Sequence, residues 1–320
     1  MPSFATTSYG LDRLTTGSGH AVVVLHGIRQ TRDAVVPFAR TIADASDALD
    51  VFVYGYNHTR GLERNGRDLA SAITDGIPTG RVDVVGYSMG GLVARLAAME
   101  GPRIHTVITL ATPNRGSLSN AELTTLGQLG RSVFEIISPI APGMEGVKDL
   151  TRAAKIMSAR RDAVLQANPG LIINATGRRY ASIPGLFYNK DQANFAWGPS
   201  VQITGLTASL ALLGLRIRLM KMERPHDGIV TERSNNISTA ETHDWSEVHL
   251  VDPGPNGEPA RCHAVIDCCR KHDHISILRD AAIAQFTAAL LTCDDWRILR
   301  QVHSTLRHRV RLYPFACDST

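Results

Sequence analysis

Three side chains able to share one proton relay stand far apart in a chain of 320 residues: Ser88, Asp227 and His274. Ser88 is the centre of Gly86-Tyr87-Ser88-Met89-Gly90, with the apolar run Val82 to Val85 before it and the helical pattern Leu92 to Met99 after it. A serine hydroxyl is a weak nucleophile until a neighbouring base takes its proton. A sharp strand-to-helix turn presents such a hydroxyl above a sheet edge. Glycine two residues before and two after it lets the turn close, because glycine lacks Cβ and tolerates unusual backbone angles. The start of the helix adds N–H groups and a positive dipole end where an oxyanion would develop. Histidine suits the base, since its pKa lies near working pH. His274 is flush against Ile275-Ser276-Ile277-Leu278 and is preferred. His272 is the alternative, with Asp273 then a bystander. Asp227 opens a loop in Pro225-His226-Asp227-Gly228-Ile229-Val230. A carboxylate there could orient the imidazole and stabilise its charged form, although Asp-Gly is also a common turn pair.

These groups meet only if the elements around them bring them to one edge. Strands are expected at 21–25, 51–55, 82–86, 104–110, 170–175 and 263–267, and helices at 32–48, 61–75, 89–100, 150–166 and 279–292. Continuous apolar runs such as Ala21-Val22-Val23-Val24-Leu25 suit strands buried on both faces of a parallel sheet. The alternation of strand and helix predicts a mostly parallel sheet with helices on both faces, its site on the loops at the carboxyl ends of the strands. Gly101-Pro102 stops the helix after Ser88. The helix after His274 should bury a stripe of Ile275, Leu278, Ala282, Phe286 and Leu290. The strand at 21–25 ends in His26-Gly27-Ile28. His26 is read as a structural contact there, because it precedes the serine.

The segments HGI, GYSMGGLVA, TLATPNRGS, HDGIV and HISIL together resemble the α/β-hydrolase fold and, within it, the bacterial lipase and esterase group. The resemblance covers residues 20–116, then islands at 170–177, 225–232 and 272–291. It implies a Ser–Asp–His triad at Ser88, Asp227 and His274, and an oxyanion hole from the N–H groups of Ile28 and Met89. It implies hydrolysis of carboxylic esters through an acyl-enzyme, with no cofactor and no metal. The same residues would serve an acyltransferase, a thioesterase or a phospholipase, and a non-catalytic binding module on this fold is the alternative from another class. In Thr109-Leu110-Ala111-Thr112-Pro113-Asn114-Arg115-Gly116-Ser117, Asn114 stands where the family usually has His. Residues 1–320 are read as one α/β-hydrolase domain, with insertions at about 117–168 and 178–224 forming a helical cap or lid. Leu126, Leu129, Val133, Phe134, Ile136 and Ile137 in the first, and the Leu- and Ile-rich stretch 200–222 in the second, suit the lining of an acyl pocket or plain packing on the core.

Composition agrees with such a core. Apolar residues make up 43% and charged residues 20%, the range of ordinary globular domains. A net charge of +4 gives no case for nucleic acid. The expected partner is a small-molecule or lipid ester, and the oligomeric state is not legible. Met1 to Asp12 lacks the charged and apolar pattern of a secretory signal, so a cytoplasmic location is expected. No run of 18 uncharged apolar residues appears. Five cysteines cannot all pair. Cys262, Cys268 and Cys269 lie near His263, His272 and His274 but lack paired Cys-x-x-Cys knuckles, so thiols in a reducing compartment are preferred to zinc or a disulfide. The stretch 295–311 sets five arginines around Trp296, Leu299, Val302 and Leu306. Such a helix suits peripheral contact with an anionic membrane. Docking on its own domain is preferred, because burial of the stripe is what stabilises a helix.

Overall fold

The computed structural model describes residues 9–28, 30–78, 80–100, 103–114, 149–150, 156, 179–183, 230, 234, 247–253, 259–265, 274, 276–293 and 312–314. Its strands are β1 (Gly10–Arg13), β2 (Ala21–Leu25), β3 (Asp50–Gly55), β4 (Val82–Tyr87), β5 (Ile104–Leu110), β6 (Arg179–Ile183), β7 (Glu247–Pro253), β8 (Pro259–Val265) and β9 (Leu312–Pro314). Its helices are α1 (Val36–Asp44), α2 (Leu62–Gly76), α3 (Met89–Glu100) and α4 (Ala281–Thr292).

One sheet runs in the order β1-β3-β2-β4-β5-β6-β7-β8-β9. The middle five strands, β3-β2-β4-β5-β6, are parallel. β1 adds antiparallel at one edge, and β7, β8 and β9 extend the other edge antiparallel. The central strands are apolar on both faces because both are covered. Val22, Val24, Val51, Val53, Val85, Ile108 and Leu110 pack with Phe38 and Ile42 of α1 and Ile283 and Phe286 of α4. Ala21, Val23, Leu25, Phe52, Val82, Val84 and Val107 pack with Leu69 and Ile73 of α2 and Leu92 and Leu96 of α3. Successive strand residues thus serve opposite layers, as a side-chain period of two requires. α3 is buried nearly all round, as a helix apolar on every side must be.

β2, β3, β4 and β5 fall within a residue of the expected strands, and α2 and α3 within a residue of the expected helices. Four expectations are corrected. The helix placed at 32–48 is a 3-10 turn, Arg32–Val35, followed by α1 over Val36–Asp44. Pro37 explains the late start, since proline lacks an N–H and fits only a first helical turn. The strand placed at 263–267 is β8, Pro259–Val265, and proline is at home as the first residue of a strand. Of the stripe expected for the last helix, Leu278, Phe286 and Leu290 are buried and Ala282 is only half-buried; Ile283 and Thr287 are buried in addition, and position 275 lies outside the described residues. Within the stretch placed at 178–224 as an insertion, Arg179–Ile183 is a sheet strand paired to β5. The expected strand at 170–175, most of the helix at 150–166, the remainder of both insertions and the basic stretch 295–311 lie outside the described residues.

Candidate active site

β4 lies between β2 and β5, so the turn after it opens at the middle of the carboxyl edge. Ser88 fills that turn alone, between the end of β4 and the start of α3, with φ of 52°. A positive φ is unfavourable for a residue with a side chain, and such residues concentrate at functional sites. Neighbours hold it there. The Ser88 N–H donates to Leu110 O at 2.8 Å, and the Gly91 N–H donates to Ser88 O at 3.1 Å.

The two motif glycines are set by close approach. A Cβ on Gly86 would run into the Gly90 carbonyl and Gly91 Cα. A Cβ on Gly90 would run into the His26 carbonyl oxygen and lie 3.0 Å from Leu25 Cβ. The first turn of α3 therefore lies directly on the ends of β4 and β2, and only glycine at both positions allows it.

The imidazole expected as the base comes from far along the chain. His274 precedes the 3-10 turn Ser276–Arg279 and α4. Ile277 is fully buried in the layer that α1 and α4 share, which anchors the segment. Asp280 caps α4, its Oδ1 accepting from the N–H groups of Ala282 at 2.7 Å and Ile283 at 3.3 Å. His274 Nε2 then lies 2.9 Å from Ser88 Oγ, across 186 residues of sequence. Both residues are buried, at 5% exposure for Ser88 and 6% for His274. Tyr87, next to the serine, donates its phenol to His274 O at 2.6 Å.

The two expected oxyanion donors flank the same corner. Met89 opens α3 and is fully buried; Ile28 sits in the turn after β2 and is half-buried. Neither N–H donates to an acceptor among the described residues. Buried N–H groups are nearly always paired, and the Met89 N–H belongs to the residue directly after Ser88. The Gly27 N–H, by contrast, donates to Gln30 Oε1 at 3.0 Å, which closes the turn carrying Ile28.

His26 is occupied structurally. Its Nδ1–H donates to Gly27 O at 2.8 Å, and its Nε2 accepts the Tyr56 N–H at 3.2 Å. Its carbonyl accepts the Tyr56 hydroxyl at 2.9 Å, and its ring stacks on Tyr56 at 4.3 Å. Burial pushes its pKa down to about 4, against the hydrogen bond to Gly27 and with His58 adding in the same direction. The ring is therefore neutral and ties the ends of β2 and β3 together.

Asn114 is also buried and structural. Its Nδ2 donates to Thr109 Oγ1 at 3.3 Å, and its Oδ1 accepts from Arg95 at 3.0 Å, which fastens the loop after β5 to α3. Asp227 and His272 lie outside the described residues, so the structure brings together Ser88, His274, Ile28 and Met89 from the expected set. Among the described residues, no group of three or more His, Cys, Asp and Glu side chains is arranged to hold a metal ion. Sequence reasoning missed Tyr87 and Gln30. The phenol was legible as the residue beside the serine, but nothing local says that it reaches residue 274.

A family model described as the PGAP1-like alpha/beta domain matches residues 68–135. The mature form of the Bacillus licheniformis lipase BlEst2 is similar at a TM-score of 0.55 and 18% identity, covering 90% of this chain and 100% of that one. The propeptide form of the same lipase gives a TM-score of 0.52 at 18% identity, covering 91% of this chain and 55% of that one. No curated protein sequence matches. The chain has the α/β-hydrolase fold.

Proposed function

On that fold, we propose that the chain is a serine hydrolase that cleaves carboxylic esters through an acyl-enzyme on Ser88. The observation that carries this reading is the 2.9 Å contact between Ser88 Oγ and His274 Nε2, buried at a strained turn. His274 takes the serine proton as Oγ attacks the ester carbonyl. The N–H groups of Ile28 and Met89 donate to the oxyanion that forms, and losing one such donor typically costs on the order of 100-fold in rate. As the tetrahedral species collapses, His274 gives the proton to the leaving alcohol. Water then attacks the acyl carbonyl, passes its proton to His274, and releases the acid as Ser88 Oγ is reprotonated. Asp227 is the proposed carboxylate that holds the imidazole in the required tautomer, with His272 the alternative base.

The two inserted stretches, about 117–168 and 178–224 apart from the strand Arg179–Ile183, are proposed to cover the site and line a pocket for the acyl chain. A small-molecule or lipid ester is the expected substrate. The experiment is hydrolysis of p-nitrophenyl esters of increasing chain length by the natural chain and by Ser88→Ala, with labelling by an active-site fluorophosphonate alongside. Ser88→Ala should remain folded, lose turnover by at least about 1,000-fold, and take up no label. Turnover that survives the substitution would remove Ser88 as the nucleophile.

A further inference from the structure

Tyr87 occupies a place that the proton relay of Ser88 and His274 does not use. Its ring is buried, at 2% exposure, in the layer beneath α1 and α4. Three parts of the site touch it. It is joined by one peptide bond to Ser88. Its hydroxyl donates to the backbone carbonyl of His274 at 2.6 Å, across 187 residues, and its ring lies against the His274 ring with centroids 5.2 Å apart at 43°. The oxyanion turn also rests on it: a Cβ added to Gly27 would fall 2.9 Å from Tyr87 Cε1 and 3.1 Å from Ser88 Cβ. Nucleophile, base and oxyanion turn come from three different elements, and this side chain is in contact with each.

We propose that Tyr87 is a positioning residue that sets the distance between Ser88 and His274 by holding the backbone of residue 274 to the nucleophile turn. The proposal rests on the reading of Ser88 and His274 as nucleophile and base. The physical case is one of leverage. His274 precedes α4, and the burial of Ile277 and the Asp280 cap act on residues to its carboxyl side. The 2.6 Å bond acts on residue 274 itself. A buried phenol needs an acceptor, and here that acceptor is the main chain of the base. Proton transfer requires donor and acceptor within about 3 Å. Misplacement of a reacting group by about 1 Å can cost on the order of 100-fold in rate.

Tyr87→Phe keeps the ring, its packing on Gly27 and its contact with the imidazole, and removes only the hydroxyl. It should lower kcat for a p-nitrophenyl ester by about tenfold or more, with KM within about twofold, and slow fluorophosphonate labelling by a similar factor. A residue that acts through another loses its effect when that other is gone. In the His274→Ala background, Tyr87→Phe should therefore change the residual labelling rate by less than about twofold. A purely structural tyrosine would slow both backgrounds equally. Equal loss in both backgrounds, or wild-type kcat in Tyr87→Phe, would overturn the proposal while leaving the hydrolase reading intact. If the natural chain neither hydrolyses esters nor takes the label, the hydrolase reading fails first and Tyr87 loses its role with it.

Discussion

Two buried histidines end up close to the same sheet edge with opposite fates, and their immediate neighbours decide which. His26 has both ring nitrogens engaged, one on Gly27 O and one on the Tyr56 N–H, and burial keeps it neutral with a pKa of about 4. It cannot accept a proton near neutral pH without breaking one of those bonds. His274 offers Nε2 to a hydroxyl. The glycines of the turn make that meeting sterically possible, and Gly90 sets α3 against the end of β2. Gly90→Ala drives a methyl group into the His26 carbonyl, and backbone on both sides leaves little to yield. The expected outcome is a loss of roughly 1–3 kcal/mol in urea unfolding, the usual range for overpacking, together with slower labelling of Ser88. An alanine variant with unchanged stability and labelling would mean that the first turn of α3 can move away from β2 at little cost.

At the scale of elements, α4 follows His274, the proposed base, and Asp280 caps its amino end. Asp280 Oδ1 accepts two N–H groups that otherwise have no helical partner. Asp280→Ala should cost about 1 kcal/mol, as N-cap losses do, measured by urea unfolding, and leave KM unchanged. A variant as stable as the parent would show that the amino end of α4 is held by burial of Ile277 and Ile283 alone. The same scale shows what the sequence made legible. β2, β3, β4 and β5 announce themselves because parallel strands covered on both faces must be apolar without interruption, as Ala21–Leu25 is. α3 and the serine turn are legible because strain and close approach restrict the residue types allowed. Arg179-Tyr180-Ala181-Ser182-Ile183 carries no such run, and β6 is held by main-chain pairing to β5. β1, with Asp12 and Arg13 exposed, is an edge strand of four residues, and charged residues are what edges tolerate. β7 and β8 pair antiparallel through Pro253 and Pro259 at the end where the chain passes from one strand to the other, positions that read locally as loop. In the candidate site, the meeting of Ser88 with His274 was legible from motif and order. The phenol contact to residue 274 was not, because a contact across 187 residues leaves no local periodicity.

Across the whole molecule the two ends of the sheet are built differently, and acid should separate them. The carboxyl edge holds the neutral His26. The amino end holds Asp83, five residues before Ser88 on β4, or roughly 16 Å away at a strand's rise per residue. Asp83 is fully buried, paired with Arg81 at 2.8 Å, with His20 Nε2 at 2.9 Å and His105 Nδ1 at 3.7 Å, and it accepts the Thr106 N–H at 2.9 Å. Burial alone would raise its pKa. His105, His20 and Arg81 outweigh that and hold its carboxyl well below the usual carboxylate range. Each group destabilises the fold in its own window. As pH falls from about 6.5 to about 4, unfolded chains protonate residue 26 and folded ones do not, so stability declines by roughly 3 kcal/mol. Asp83 contributes its full stabilisation above about pH 4, where unfolded carboxylates are charged, and loses it as pH falls further toward its own depressed pKa. Urea unfolding of the natural chain should therefore weaken in two steps on acidification. His26→Gln should flatten the first step and keep the second. Asp83→Asn should remove Asp83's part of the second and, by leaving Arg81 and two histidines without their carboxylate, cost about 3–5 kcal/mol at pH 7. Because Asp83 lies at the far end of β4, kcat of the folded Asp83→Asn fraction at pH 7 should stay within about twofold of the parent, a bound set by the separation of the two sites. A tenfold fall in kcat, with the variant shown to be folded, would mean that the amino end of β4 sets the geometry at Ser88. A first step that survives in His26→Gln would assign it to another group.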